Sequence, residues 1–144
     1  MKNTFKKLLG ILLLCAALLS VCSCGKYVSS YSATILIRGN TGGELSVRFD
    51  SLKGRLCESF RKDKDGEGAL SYSASLEEGS LTVYYAVGNG DLETLFTLSG
   101  GESISDVGGY VEGAKGARIH IVIETDGKCK GGEIGIDFYR GEGV

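Results

Sequence analysis

The sequence of 144 residues has no proline and no tryptophan, and only one histidine and one methionine. Without tryptophan, the largest aromatic platform for stacking a ligand ring is missing. With His120 as the sole imidazole, no histidine-rich metal site and no paired-histidine proton relay can be built. No apolar run reaches the ~20 residues that a bilayer-spanning helix needs. Basic charge is scarce as well: 16 Lys and Arg stand against 18 Asp and Glu. An acidic chain lacks the basic surface that phosphate backbones demand, which excludes nucleic acid as a partner. Glycine, by contrast, is abundant at 23 residues, but it follows no G-X-Y period, so a collagen helix is excluded. At 42% hydrophobic residues, the chain is too apolar to stay disordered.

The first two dozen residues form a separate unit. Met1 to Lys7 carries Lys2, Lys6 and Lys7 with no acid, and Leu8 to Val21 is an apolar stretch of 14 residues. That is the layout of an export signal. The stretch ends in Val21-Cys22-Ser23-Cys24-Gly25-Lys26, which resembles the lipobox of bacterial lipoproteins: an aliphatic residue at −3, a small residue at −1, then the cysteine that receives lipid. Cys24 fits with Val21 at −3 and Ser23 at −1. Cys22 is the alternative, with the bulkier Val21 at −1. The resemblance implies a signal peptide over 1–23, a lipidated tether over 24–31 and an extracytoplasmic domain over 32–144, held at the cell membrane by the lipid. Two acyl chains on Cys24 suffice for stable anchoring where one is marginal. Removing 1–23 leaves a domain with a net charge of −5. Two cysteines then remain in that domain, Cys57 and Cys129; an even pair in an exported chain is a possible disulfide, or two reduced thiols.

From residue 33 onward, apolar and polar residues alternate with period two and no helical period competes. Leu45, Val47 and Phe49 share one face of a strand, as do Leu81 and Val83, Ile119, Ile121 and Ile123, and Ile134, Ile136 and Phe138. These residues form the expected core. Glycine-rich breaks at 40–43, 64–68, 77–80, 88–91, 99–101 and 125–127 read as turns. The expected strands are 32–38, 44–50, 54–60, 69–76, 80–87, 93–98, 104–112, 117–125 and 133–139. The fold class is therefore all-β, a single antiparallel β-sandwich of eight or nine strands. Gly42 to Phe49 and Gly131 to Phe138 share the pattern G-G-E-aliphatic-x-aliphatic-charged-F, which suits strands at equivalent positions in one sheet. From Gly79 onward, the order Gly-Ser-Leu-Thr-Val, Thr-Leu-Phe-Thr-Leu, Arg-Ile-His-Ile-Val-Ile-Glu-Thr and Glu-Ile-Gly-Ile-Asp-Phe resembles the closing half of jelly-roll modules. Pre-peptidase C-terminal domains and carbohydrate-binding modules are of this kind. That resemblance implies jelly-roll-like connectivity and carries over no binding residue.

Candidates for chemistry are few. His120 shares a strand face with Arg118, Val122 and Glu124, and no acid lies close enough in sequence to orient it. Asp63-Lys64-Asp65-Gly66-Glu67 starts like a calcium loop, but position twelve is Ala74 instead of a bidentate Glu. The expectation is a non-catalytic module with no cofactor and no bound metal. Tyr84, Tyr110 and Tyr139 are the aromatic residues open to a glycan. Charge is segregated along the chain: 65–114 holds nine acids and no Lys or Arg, and 26–64 has a net charge of +4. Glu77, Glu78, Asp91, Glu102 and Asp106 are expected to gather at one end of the sandwich, where they would attract a basic partner or a divalent cation. The domain thus reads as an anchored binding or structural module of the cell envelope. Its partner is the membrane through the lipid, with an envelope protein or, alternatively, a glycan at its free face. A hydrolase accessory domain is the remaining reading.

Overall fold

The computed structural model describes residues 27–140, with Thr4, Lys6 and Lys7. The expected signal peptide is otherwise outside the described residues, as is Cys24. Six strands follow one another: β1 (Ser30–Thr41), β2 (Glu44–Arg61), β3 (Gly68–Val87), β4 (Glu93–Ser99), β5 (Ser103–Val111) and β6 (Arg118–Tyr139). They form one antiparallel sheet in the order β1-β2-β6-β3-β4, with β5 also paired to β3. The count is six, not eight or nine, because three pairs of expected strands are continuous. Segments 44–50 and 54–60 join in β2, 69–76 and 80–87 in β3, and 117–125 and 133–139 in β6.

Of the segments that read as turns, 40–43, 88–91 and 99–101 do join strands, whereas 77–80 and 125–127 lie within the long strands β3 and β6. In β2 the register shifts between Lys53 and Arg55, with Gly54 at φ 115°. In β3 it shifts between Glu78 and Ser80, with Gly79 at φ 99°. A side chain is strained at such φ, so glycine is the residue that lets a strand turn a corner without leaving the ladder. Gly79 also meets Cys129 closely: an added β-carbon would lie 2.8 Å from the Cys129 sulfur.

The bends divide the sheet into two layers. One layer holds β5, the early part of β3, the late part of β6, the early part of β2 and the late part of β1. The other holds β4, the late part of β3, the early part of β6 and the late part of β2. Tyr72 of the first layer stacks on Phe96 of the second, with ring centroids 4.6 Å apart, so the layers face each other across the core. Every expected core residue is buried there, and Leu52, Leu56, Phe60, Leu70, Leu98 and Val111 join them. Burying each such side chain contributes roughly 1.5–3 kcal/mol before ordering costs.

The repeated G-G-E pattern has a structural meaning. Its two copies are antiparallel neighbours: Leu45 pairs with Ile136, Val47 with Ile134, and Phe49 with Gly132. Because β2 and β3 both pair with β6 and not with each other, the acidic segment 62–67 is no hairpin turn. It runs from the start of β6, where Arg61 pairs with Arg118, to its end, where Ala69 pairs with Tyr139, and so passes from one layer to the other. Lys62, charged yet only 2% exposed, ties this crossing to the next. Its ammonium donates to the carbonyls of Gly66 and Gly113 and lies 4.5 Å from the Phe138 ring centroid.

Candidate ligand-binding face

Alternation puts the small polar residues of the first layer on its outer face, and the register aligns them across the strands. One row reads Ile37, Arg48, Glu133, Ser75 and Ser103. The next reads Gly39, Ser46, Gly135, Ser73 and Ser105, with nothing larger than serine. A third holds Thr41, Glu44, Asp137, Ser71 and Val107. The low middle row makes a trough with higher, charged flanks. Two adjoining hollows of about 530 and 570 Å³ occupy this face and share Ile37, Arg48, Ser75, Ser103 and Glu133.

The charged groups here are free to act on a ligand. Among the described residues, neither Arg48 nor Glu133 is in an ion pair; the pairs are Arg38–Glu58 at 2.7 Å and Lys130–Glu78 at 3.9 Å. Asp137 is held above the usual carboxylate range, first by burial and then by repulsion from Glu44 and Asp63. At the rim, Ile35 and Ile37 are 68% and 58% exposed. Ile35 sits at φ 49°, and it drops out of the ladder between Thr34 and Leu36. A β-branched residue in that region is strained by about 1–3 kcal/mol.

The acidic residues expected to cluster do not all gather: Glu77, Glu78 and Glu102 lie near one another, and Asp91 and Asp106 lie apart from them. The turn after β4 packs on the bend in β3: Gly100 N–H donates to the Gly79 carbonyl and Gly101 N–H to that of Leu76. This brings Glu77 and Glu102 to one end of the trough, beside Asp50 and Glu133. Glu78 is nearby but engages Lys130. Asp91 lies beyond the end of β3, and Asp106 accepts from the Val107 N–H on β5. Among the described residues, no group of three His, Cys, Asp or Glu side chains is arranged to hold a metal ion. In the loop that resembles a calcium site, Asp65 instead accepts from the Lys115 N–H at 2.6 Å and Glu67 from the Tyr110 hydroxyl at 2.6 Å.

His120 lies on the outer face of the other layer. The Tyr27 ring is stacked on it at 3.8 Å, nearly parallel, and covers one side of the imidazole. The recess around them includes Cys57, Ser59 and Glu58, but the Glu58 carboxylate is bound to Arg38. Cys57 and Cys129 are free thiols, so the pair considered from the even count is not bonded. Cys57 pairs with Val122 on this outer face. Cys129 pairs with Leu52, is fully buried, and donates to the Ser80 carbonyl. The thiols point to different sides of the sheet, and burial pushes that of Cys129 up. The three tyrosines form no common platform, since Tyr84 belongs to the His120 layer and Tyr110 and Tyr139 to the other.

The trough itself escaped sequence reasoning. Its one linear trace is the run Ser71, Ser73, Ser75 between buried apolar residues.

No protein-family model matches the chain, and no curated protein matches it. Among solved structures, one similar chain is the Podospora anserina GH26-CBM35 β-(1,4)-mannanase, at 14% identity and TM-score 0.45. The match covers 81% of this chain but only 27% of the mannanase. A second is a CBM6 module of Clostridium stercorarium solved with cellobiose, at 14% identity and TM-score 0.44, covering 78% of this chain and 87% of that one. A third is a CBM61 module solved with β-1,4-galactotriose, at 14% identity and TM-score 0.39, covering 83% and 93%.

Proposed function

We propose that this chain is a lipid-anchored extracytoplasmic module that binds a glycan along the serine–glycine trough and performs no chemistry on it. The jelly-roll-like reading of the connectivity belongs to the same proposal. The observation that carries it is the register of the trough: a floor without bulk between an unpaired arginine and unpaired carboxylates. A sugar presents ring hydroxyls that both donate and accept. The Arg48 guanidinium supplies a fork of donors, and Glu133 supplies acceptors directly across the ladder. Ile35 and Ile37 offer apolar surface to the C–H face of a pyranose, and the Gly135 row lets the ring approach the backbone. No aromatic platform is needed for such a site, but without one the affinity is modest.

Affinity electrophoresis through gels containing mannan, β-glucan, galactan or peptidoglycan fragments tests this reading. At least one of these polymers should retard the protein, and Arg48→Ala or Glu133→Gln should each weaken retention about tenfold. A charge-assisted hydrogen bond of ~1.5–3 kcal/mol is lost in each case. Retardation of the parent by none of them, or retardation of both variants as strong as that of the parent, would refute glycan binding at this face. The anchor is tested separately by metabolic labelling with a fatty acid: Cys24→Ser should remove all label, and label retained on that variant would exclude Cys24.

A further inference from the structure

The opposite outer face, around His120, carries a different chemistry. Arg61 and Arg118 are direct cross-strand partners on β2 and β6. Like charges placed opposite each other destabilise a sheet unless something between them is anionic. Yet each touches only neutral oxygen: Arg61 donates to the Gly116 carbonyl at 3.0 Å, and Arg118 to the Ser59 hydroxyl at 2.9 Å. Among the described residues, neither is in an ion pair. Between them and the Gly42-Gly43 turn lies a recess of about 270 Å³ lined also by Asn40, Ser59 and Phe60. Arg55 lies further along the same face, opposite Glu124. The acids near this face are that Glu124, the arginine-bound Glu58, Asp91 beyond the end of β3, and Asp63, whose carboxylate lies against Gly43 at the far wall of the recess.

The chain also enters the fold on this face. The Tyr27 ring is stacked on His120, its hydroxyl donates to the Gly90 carbonyl at 3.2 Å, and the Ser29 hydroxyl accepts from the Cys57 N–H at 2.9 Å. Cys24 precedes Tyr27 by three residues. Even fully extended, such a segment spans no more than ~11 Å. A lipid on Cys24 therefore brings the bilayer surface to the Arg61–Arg118 side and leaves the trough, on the outside of the other layer, pointing away.

We infer that the end of the His120 layer's outer face that carries Arg61 and Arg118, beyond the buried Val122 and Ala86, docks on an anionic lipid surface, with the two arginines taking headgroup phosphate. The inference rests on the lipid-anchor reading for its geometry, but not on glycan binding. Attraction to anionic lipid is short-ranged and screened by salt, so a three-residue leash is what makes it effective.

The chain supplies its own reporter. Cys57 is partly exposed on this face, whereas Cys129 is buried and reacts only on unfolding. Mature lipidated protein, residues 24–144, is placed in vesicles of phosphatidylcholine alone or with phosphatidylglycerol, and maleimide modification of Cys57 is timed by mass. Modification should be at least tenfold slower on the anionic vesicles. High salt, or the double variant Arg61→Gln with Arg118→Gln, should abolish the difference. Equal rates on both vesicles, with the protein floating on both, would overturn the docking and leave the anchor standing. If protein isolated from its own cells carries no lipid on Cys24 and still floats only on anionic vesicles, the anchor falls and the docking stands. Failure to float on either would end both.

Discussion

Replacing Gly132 with alanine is expected to cost about 3 kcal/mol and to lower the melting temperature by roughly 10 °C. The glycine pairs with Phe49 across the β2–β6 ladder, and a β-carbon at 132 would overlap the Phe49 ring. Both residues are buried. Neither partner can retreat, because the ring belongs to the core and the backbone to the central strand. The backbone at 132 is not among the positive-φ glycines, so the effect is one of space and not of conformation. A double-mutant cycle separates the two: Gly132→Ala combined with Phe49→Leu should be more stable than Gly132→Ala alone. If urea titrations show the two costs simply adding, the overlap is not the cause.

Lys62→Met should destabilise the fold by about 2–4 kcal/mol, more than loss of a surface charge can explain. The methionine keeps the apolar stem but leaves the Gly66 carbonyl without its donor and the Gly113 carbonyl with only the Gly66 N–H. It also removes the side-chain tie between the two crossings and leaves them joined only by the backbone bonds of residue 62 to Ala117 and Gly116. The same side chain gives the stability a pH signature. Burial pushes the Lys62 ammonium below its ordinary range, with Asp65 opposing this and Arg140 adding to it. Between that lowered value and the ~10.4 of a free lysine, the unfolded chain binds more protons than the folded one. Stability from this group therefore rises with pH through that window. Tyr72, Tyr85 and Cys129 act the other way: their raised values make the folded state hold protons that the unfolded state gives up at high pH. Subtracting the Lys62→Met curve from that of the parent isolates the lysine, because the other groups are common to both. The gap should widen from pH 7 to pH 9.5 in urea unfolding. A gap that narrows would mean the ammonium is favoured in the fold.

The difference between what could and could not be read in the sequence follows from how local each signal is. Leu45, Val47 and Phe49, or Ile119, Ile121 and Ile123, declare their shared face by period two alone, and each of them is in the core. Glu77-Glu78-Gly79-Ser80 has the composition of a hairpin turn, and glycine serves a bend as well as a turn, so a break in the alternation does not reveal whether the chain reverses. Only pairing with β6 on both sides of Gly79 shows that it goes straight on. Lys62, between Arg61 and Asp63, looks like one more solvated charge; its burial depends on residues 113–117, more than a third of the chain away. The trough is still less local. Ser46, Ser73, Ser105, Gly39 and Gly135 come from five strands, and nothing relates them until the register is known.

The central position of β6 bears on when this fold can come into being. Chains emerge from the ribosome, and from an export channel, with the N-terminus first. β2 and β3 appear early, but each has its long partner only in β6, the last of the described strands. Until residues 118–139 arrive, the early strands have only the β1–β2 hairpin and the shorter pairings of β3 with β4 and β5, and none of these closes the core. Hairpins of that kind are marginal in water on their own. The ladder that joins the two layers forms late and from distant parts of the chain, which makes folding slow and nearly all-or-none. For the exported module proposed above, such an order of events leaves little compact structure to undo on the way through a membrane.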